Sequence, residues 1–162
     1  MAIDHFAEIK GIKGESKDAT HKDWVDVLAW SWGMSQSGSF HTGGGGGAGK
    51  VSVQDVSFTK YVDIASPLLM LACCTGEHID EVKLVCRKAG KTPLEYLIIT
   101  MKKVMVTSVS TGGSGGEDRL TENVTLNFAE SDVQYQKQKD DGSGGDTKTL
   151  NWNIEENKGD VS

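Results

Sequence analysis

The stretch LEYLIITMKKVMVTSV (Leu94–Val109) decides the fold. Apolar and polar residues alternate with a period of two in segment after segment of the chain, which is typical of β-strands. At ~3.3 Å per residue an unbroken strand of this length would run about 50 Å, whereas ordinary strands span about 17–20 Å. The sequence therefore predicts a strand that either bends across two sheets or projects from the body of the protein.

The neighbouring segments support an all-β interpretation. Val82–Lys88 alternates in the same way, and the turn residues Ala89–Pro93 join it to the long strand, so the two segments predict a hairpin. Asp118–Tyr135 predicts a second long strand, in which Leu126 and Val133 fall on opposite phases. That change of phase indicates a bulge or corner. Long strands with corners favour a sandwich closing toward a barrel.

Three more segments predict strands. In Trp24–Ser35 the large side chains occupy one face, and we expect that face to point into the core. Val51–Tyr61 is rich in β-formers but changes phase between Val53 and Val56, as a bulge would cause. Thr149–Ile154 predicts the last strand.

Helical periodicity is confined to Pro67–Cys74. Ser66 occupies the predicted N-cap position, Pro67 suits the first helical position, and Gly76 marks the predicted end. The segment is apolar almost all round, so the helix is expected to pack against a sheet or a neighbouring subunit.

Length and composition favour one water-soluble domain over residues 1–162. The net charge is −6, and residues 1–116 balance while residues 117–162 carry the acidic excess. A nucleic-acid partner is disfavoured because it requires basic excess. No apolar run suits a membrane span, and the acids within residues 1–17 do not fit a signal peptide, which predicts synthesis in the cytoplasm. The odd number of cysteines, two of them adjacent, predicts reduced thiols.

Two short patterns imitate catalytic motifs. Gly44, Gly49 and Lys50 have the spacing of a phosphate-binding loop, but Val51 replaces the hydroxyl residue and a strand is predicted next, where the motif requires a helix. Gly112–Gly116 places Ser114 in a G-x-S-x-G pattern, but again a strand follows. Glycine-rich turns explain both patterns better than nucleotide binding or hydrolysis.

Metal, cofactor and acid–base sites are likewise not predicted. Cys73, Cys74, His78 and Cys86 lack the spacing of a zinc site. The other histidines have no recognisable partner and are expected in solvent or turns. The paired acids are expected to be solvated loop charges; they are Glu117–Asp118, Asp140–Asp141 and Glu155–Glu156.

Four longer blocks carry a family resemblance. They are ESKDATHKDWVDVLAWSWGMSQSGS (Glu15–Ser39), GGGGGAGKVSVQDVSFTKYVD (Gly43–Asp63), KLVCRKAG (Lys83–Gly90) and EYLIITMKKVMVTSVSTGGSGGEDRLTENVTLNFAE (Glu95–Glu130). In this order they resemble the haemolysin-coregulated protein (Hcp) family, the tube subunit of bacterial type VI secretion systems. The resemblance covers nearly the whole chain; residues 137–162 add a C-terminal strand and tail.

The resemblance implies a non-enzymatic subunit with a two-sheet β-barrel and a flanking helix. It also implies hexameric rings that stack into a hollow tube, with spike, sheath and baseplate proteins as partners. Such a tube is ejected by the secretion machinery and carries or stabilises effector proteins in its lumen. No cofactor and no metal are implied.

Two surfaces follow as expectations. The extended loop Gly43–Lys50 is expected to contact a neighbouring subunit or ring, because ordering a glycine-rich backbone is costly unless contacts repay it. Its residues are Gly43, Gly44, Gly45, Gly46, Gly47, Ala48, Gly49 and Lys50. If Trp30 and Trp32 face the core, then Ala29, Ser31 and Gly33 face outward, either toward the lumen and its effectors or onto a neighbouring subunit.

Two alternatives remain open from the residues alone. One is a small-ligand-binding β-barrel with Trp30, Trp32 and Trp152 around a pocket. The other is a hydrolase that uses Ser114 as its nucleophile.

Overall fold

The computed structural model describes residues 2–42 and 49–162. Within these residues the chain forms ten strands, one α-helix and a single 3-10 turn, which confirms the predicted all-β class with one short helix. The elements are β1 (Ile3–Ile9), β2 (Val25–Ser31), β3 (Met34–Ser35), the 3-10 turn (Phe40–Thr42), β4 (Ser52–Val53), β5 (Val56–Tyr61), α1 (Ser66–Thr75), β6 (His78–Lys88), β7 (Leu94–Gly112), β8 (Thr121–Gln138), β9 (Gly144–Asn153) and β10 (Lys158–Val161).

The main sheet closes into a barrel. Its strand order is β10-β9-β8-β5-β2-β1-β6-β7, and β7 pairs with β8 as well, so that the sheet joins itself. Strand β8 serves two neighbours along one edge: residues 121–126 pair with β5, and residues 130–138 pair with β9. Six strands therefore make the closed wall, while β9 and β10 extend from the second half of β8.

The two long strands bend, as their length predicts. Strand β7 has 19 residues and β8 has 18, and they pair along most of their length. In β7, Met101 and Val104 are both buried although they are three positions apart, a spacing that would place them on opposite faces of a regular strand. Lys103 between them has a positive φ of 55°, which breaks the regular alternation. In β8, Phe128 and Ser131 are both buried, so the predicted change of phase is present. The hairpin of β6 and β7 is also present.

The prediction for Trp24–Ser35 is wrong in its first half and again at Met34, which is 48% exposed. Val25 and Val27 point into the core, whereas Leu28 is 43% exposed. A bulge between Val27 and Ala29 then reverses the phase, so that Trp30 packs against the core. Alternation in the sequence indicated that the strand has two unlike faces, but it did not indicate which face enters the core. One inserted residue is enough to exchange the two faces of a strand.

The predicted bulge in Val51–Tyr61 is a break between two strands. Strand β4 pairs with β3 in a separate two-stranded ribbon, while β5 belongs to the barrel wall. Val56 and Phe58 enter the core from β5. The change of phase therefore marks the point at which the chain leaves the ribbon and joins the barrel.

Helix α1 covers part of the barrel. Its N-cap is Ala65 and not the predicted Ser66, whose hydroxyl is engaged elsewhere. The predicted end is correct: Gly76 has φ of 71°, and its backbone N–H donates to the carbonyl of Ala72. Leu69 and Ala72 are buried against the core, while Leu71 is exposed. Along the described chain there is no helix with the length and apolarity needed to cross a membrane.

Candidate assembly surfaces

The ribbon of β3 and β4 is the base of an arm, which we define as residues 36–51. Met34 pairs with Val53 at this base. The indole N–H of Trp32 donates to the carbonyl of Gln54 at 2.8 Å, and the backbone N–H of Gln54 donates to the carbonyl of Gly33 at 2.9 Å. These bonds join the chain segments that precede and follow the arm.

The predicted interface loop lies on this arm. Residues 43–48 of the loop are outside the described residues, and the exposed Gly49 and Lys50 are at its end. Lys50 is followed by Val51 and then β4, a strand, so the helix required by a phosphate-binding loop does not follow. Ser114 is exposed in the turn between β7 and β8, and the strand-to-helix elbow of a hydrolase is absent there.

An exposed wall of small polar side chains surrounds Ala29 and Ser31. Ala29 pairs with Thr59, and Ser31 pairs with Ser57, on the outward side of β2 and β5. The same side continues across β8 and β7, where Thr125 lies opposite Ser57 and Asn123 opposite Thr59, and then Ser108 and Ser110 follow. Thr59 donates to the Asn123 amide oxygen at 2.7 Å. We call this surface the small-residue wall: Ala29, Ser31, Ser57, Thr59, Ser108, Ser110, Asn123 and Thr125.

Gly33 is not part of that wall. It lies beyond the end of β2, and a Cβ atom at this position would meet the Gln54 side chain at 3.2 Å. The structure therefore places two of the three predicted lumen residues on one surface and the third at the base of the arm.

An apolar pocket lies between the base of the arm and β9. Its volume is about 170 Å³. Two of the three tryptophans of the ligand-binding alternative line it, Trp32 and Trp152, but Trp30 does not. The remaining lining residues are Met34, Val51, Val53, Ser131 and Leu150.

Sequence reasoning missed a charged cluster on the outside of the barrel. His21 was expected in solvent but is 1% exposed and stacks on Phe6, with ring centroids 4.3 Å apart. Its Nδ1 lies 2.8 Å from Asp18 Oδ2, and its Nε2 lies 2.6 Å from Glu95 Oε1. Arg87 donates to both oxygens of Asp18, at 2.7 and 3.0 Å, and to Asp4 at 3.1 Å. We call Asp4, Asp18, His21, Arg87 and Glu95 the outer cluster.

The loop before β2 brings His21 to this position. The backbone N–H of Gly14 donates to the carbonyl of Asp23 at 2.7 Å, and Ser16 exchanges similar bonds with Asp23 and Trp24. A Cβ atom on Gly14 would lie 2.5 Å from the Trp24 carbonyl oxygen, so only glycine permits the approach. The partner Glu95 lies 74 residues further along the chain, a separation that no local pattern signals.

A second charged cluster lies inside the barrel under α1. The Lys60 ammonium donates to Ser66 at 3.0 Å and pairs with Asp63 at 2.8 Å and with Glu122, and Ser66 also donates to Glu122. Thr111 donates to the second oxygen of Glu122 at 3.1 Å. The side chains of Lys60 and Glu122 are fully buried. We call Lys60, Asp63, Ser66, Thr111 and Glu122 the inner cluster.

A thiol and an imidazole meet in the barrel without the character of a catalytic pair. His5 Nδ1 lies 3.2 Å from Cys86 Sγ, and the Trp30 indole N–H donates to the same nitrogen at 3.3 Å. Burial raises the pKa of the Cys86 thiol and lowers the pKa of His5. Both groups are therefore neutral near pH 7, whereas a nucleophile requires the thiolate.

The remaining cysteines, histidines and acids do not assemble into a site. All three cysteines are free, as predicted. Among residues 2–42 and 49–162 no three potential ligands are placed to hold a metal ion. The three predicted acid pairs are exposed. The described surfaces are suited to assembly rather than to catalysis.

Comparison with known proteins decides the family. A family described as "Type VI secretion system effector, Hcp" matches residues 6–135. Protein hcp1 of Pseudomonas aeruginosa is 65% identical over 160 residues, which cover 97% of this chain and 98% of that protein. This chain belongs to the Hcp family. Hcp proteins are structural, secreted proteins of the type VI system and not enzymes.

Solved Hcp structures have the same fold. A structure described as a type six secretion system protein superposes with a TM-score of 0.93 at 27% identity, covering 98% of this chain and 100% of its own. Hcp1 from Salmonella typhimurium gives a TM-score of 0.78 at 35% identity, covering 99% of this chain and 100% of its own. The C-terminal strands β9 and β10 therefore belong to a fold that is shared over nearly the full length.

Proposed function

We propose that this Hcp protein is a tube subunit: six copies form a ring, rings stack into a hollow tube, and the tube carries effector proteins. The observation that carries the proposal is the match to hcp1 over nearly the entire chain, together with a barrel of the same kind. Contacts between unlike surfaces of identical copies close into a ring when the rotation closes, and stacked rings leave faces that continue a filament.

The small-residue wall is the surface we propose for the lumen. Ala29 and Ser31 are exposed on it, and the surrounding side chains are uncharged and short. A wall of this chemistry offers hydrogen bonds to passing cargo and has no long side chain to obstruct it. The loop Gly43–Lys50 is proposed to contact the next subunit or ring.

Secretion follows from this proposal. The tube would be assembled in the cytoplasm against sheath, spike and baseplate proteins and exported with its cargo by the type VI machinery. We expect the protein to be found in the culture supernatant when the contractile apparatus is intact and to be retained in cells when the apparatus is disabled.

The oligomeric state tests the ring. Light scattering of the purified protein is expected to give six times the 17.4 kDa of one chain, and electron microscopy is expected to show annular particles. A mass of one chain at every concentration would instead favour the ligand-binding barrel, whose supporting observation is the apolar pocket beside Trp32 and Trp152.

Substitution of Ser31 tests the lumen. Ser31→Gln adds a longer side chain to the small-residue wall, and we expect export and stability of a cargo protein to fall while the ring mass is unchanged. Ser114→Gln makes the same chemical change in the exposed turn between β7 and β8 and serves as the matched control. Equal cargo export by the two variants would remove Ser31 from the lumen.

A further inference from the structure

The pocket beside the arm has two unsatisfied polar atoms in an otherwise apolar lining. Ser131 is 1% exposed, and its Oγ has no hydrogen-bond partner among the described residues; the same is true of the buried Nε1 of Trp152. The two residues are directly paired across β8 and β9. Buried polar atoms are normally hydrogen-bonded, and leaving one unpaired costs about 1–3 kcal/mol. Both atoms are inaccessible to solvent, so they lie beneath the surface of the pocket, and the lining that an occupant meets is apolar.

The arm also has an unusual feature. Phe40, in the 3-10 turn of the arm, is 83% exposed, the highest value among the exposed large apolar side chains of the described residues. In its own chain the ring therefore does not fill the pocket, although the pocket begins at the base of the same arm. Aromatic side chains, including phenylalanine, are enriched in protein interfaces.

The phenyl ring of Phe40 and the pocket are similar in size. The pocket volume is about 170 Å³, and an apolar cavity of about 150 Å³ is known to admit one benzene molecule. One phenyl ring therefore fits among Trp32, Leu150 and Trp152.

We propose that Phe40 of one copy inserts into this pocket of the next copy. The inference rests on the assembly proposed above and names the residues that hold it together. The contact is heterologous, because the inserting residue and the receiving pocket are different surfaces of each chain. Each copy therefore contributes one Phe40 side chain and receives the Phe40 side chain of another copy. Closed rings of subunits and continuing stacks of rings require contacts of this kind.

Cysteine cross-linking tests directly whether Phe40 of one copy contacts the pocket of the next. In a Cys73→Ala, Cys74→Ser background, Phe40→Cys combined with Leu150→Cys is oxidised with copper phenanthroline and analysed on a non-reducing gel. We expect a ladder of covalent dimers and larger species; it stops at the ring size if the contact lies within rings and continues beyond it if the contact joins stacked rings. Either single cysteine variant is the control, and neither can produce more than a dimer through the new thiol.

The mass of the same double variant separates failure of this contact from failure of the assembly. One outcome is that light scattering gives the mass of a ring while the gel shows no covalent ladder, either after oxidation or with a short bismaleimide cross-linker. That result overturns the Phe40 contact and leaves the proposed ring of subunits intact. A single-chain mass overturns the proposed assembly and the contact with it.

A second pair of variants removes the dependence on cysteine. Phe40→Ala is expected to weaken association about 10- to 30-fold, as the loss of an interface anchor does. Leu150→Trp places a larger side chain in the lining of the pocket and is expected to weaken association to a similar extent. The double variant Phe40→Ala, Leu150→Trp is expected to associate little more weakly than either single variant, because both changes remove the same contact. Leu120→Ala, at a half-exposed leucine between β7 and β8, is the control. Independent, additive losses would overturn the proposal.

Discussion

The inner and outer clusters place positive side chains against carboxylates in different surroundings. In the inner cluster Lys60 and Glu122 are fully buried, and the bonds join β5, β8, β7 and α1. In the outer cluster Arg87 is 13% exposed and Glu95 is 41% exposed. Similar ion pairs therefore have two different roles in this protein. The inner cluster holds the helix on the barrel, and the outer cluster holds a loop on the outer surface of the barrel.

Their energies should differ for the same reason. A fully buried charge without its partner pays a large desolvation cost, while water stabilises a partly exposed charge whose partner is lost. We therefore expect the two clusters to lose unequal amounts of stability on equivalent substitutions.

The largest effect is expected at Lys60. Lys60→Met leaves the Glu122 carboxylate buried without its cation and is expected to lower the free energy of unfolding by about 3–5 kcal/mol, measured by urea denaturation. The double variant Lys60→Met, Glu122→Leu removes both charges and should recover much of that loss. A double variant as unstable as the single one would show that packing, not charge, holds the site.

A smaller effect is expected at Arg87. Arg87→Met removes the two bonds to Asp18 and should lower the free energy of unfolding by roughly 1–3 kcal/mol, because hydrogen bonds to charged groups contribute in this range. Arg87→Lys keeps the charge but not the paired geometry, so it is expected to recover only part of the stability. A loss that equals or exceeds that of Lys60→Met would contradict the ranking of the clusters.

Acid should weaken the outer cluster through Asp18. The hydrogen bonds from Arg87 and His21 hold the pKa of this carboxyl well below its ordinary value of 3.8. A lowered folded-state pKa stabilises the protein above the unfolded value, and that stability is lost as the pH falls below about 3.8. Asp18→Asn is therefore expected to be less stable near pH 7 and to lose less stability between pH values of about 4 and 2.

Glu122 provides the comparison in the inner cluster. Burial raises the pKa of this carboxyl, but the bonds from Lys60, Ser66 and Thr111 and the charge of Lys60 outweigh burial, so its pKa lies below 4.5. Glu122→Gln should likewise flatten the loss of stability below about pH 4.5. Acid profiles identical to that of the unsubstituted protein in both variants would mean that other carboxyls govern acid unfolding.

The smallest effect is expected at the surface pair of Lys158 and Glu156, whose atoms are 2.9 Å apart. Both side chains are more than half exposed, so solvent and salt screen the pair. Lys158→Ala is expected to leave the thermal midpoint unchanged within the error of calorimetry. A clear shift would indicate that exposure is a poor guide to the strength of ion pairs in this barrel.

Local patterns predicted much of this architecture because the signals were strong and short-range. The β6–β7 hairpin follows from alternation in Val82–Lys88 and from the turn residues after it, and the end of α1 follows from Gly76, which tolerates a positive φ. The candidate surfaces were only partly predictable. Ala29 and Ser31 were assigned correctly to an outward face, but the neighbours that make a wall come from strands far along the chain.

The all-β class, the long strands and the single helix could be predicted from the sequence, because each depends on periodicity and on residues that are near in the chain. Three features became clear only from the folded chain: which side of β2 enters the core, where the ribbon separates from the barrel, and why His21 is buried. Each of these depends on a strand or side chain contributed from a distance: Thr59 opposite Ala29, Gly33 bonded to Gln54, and Glu95 against His21. Alternation distinguishes two faces of a strand, but only the closing of the barrel makes one of them the inside.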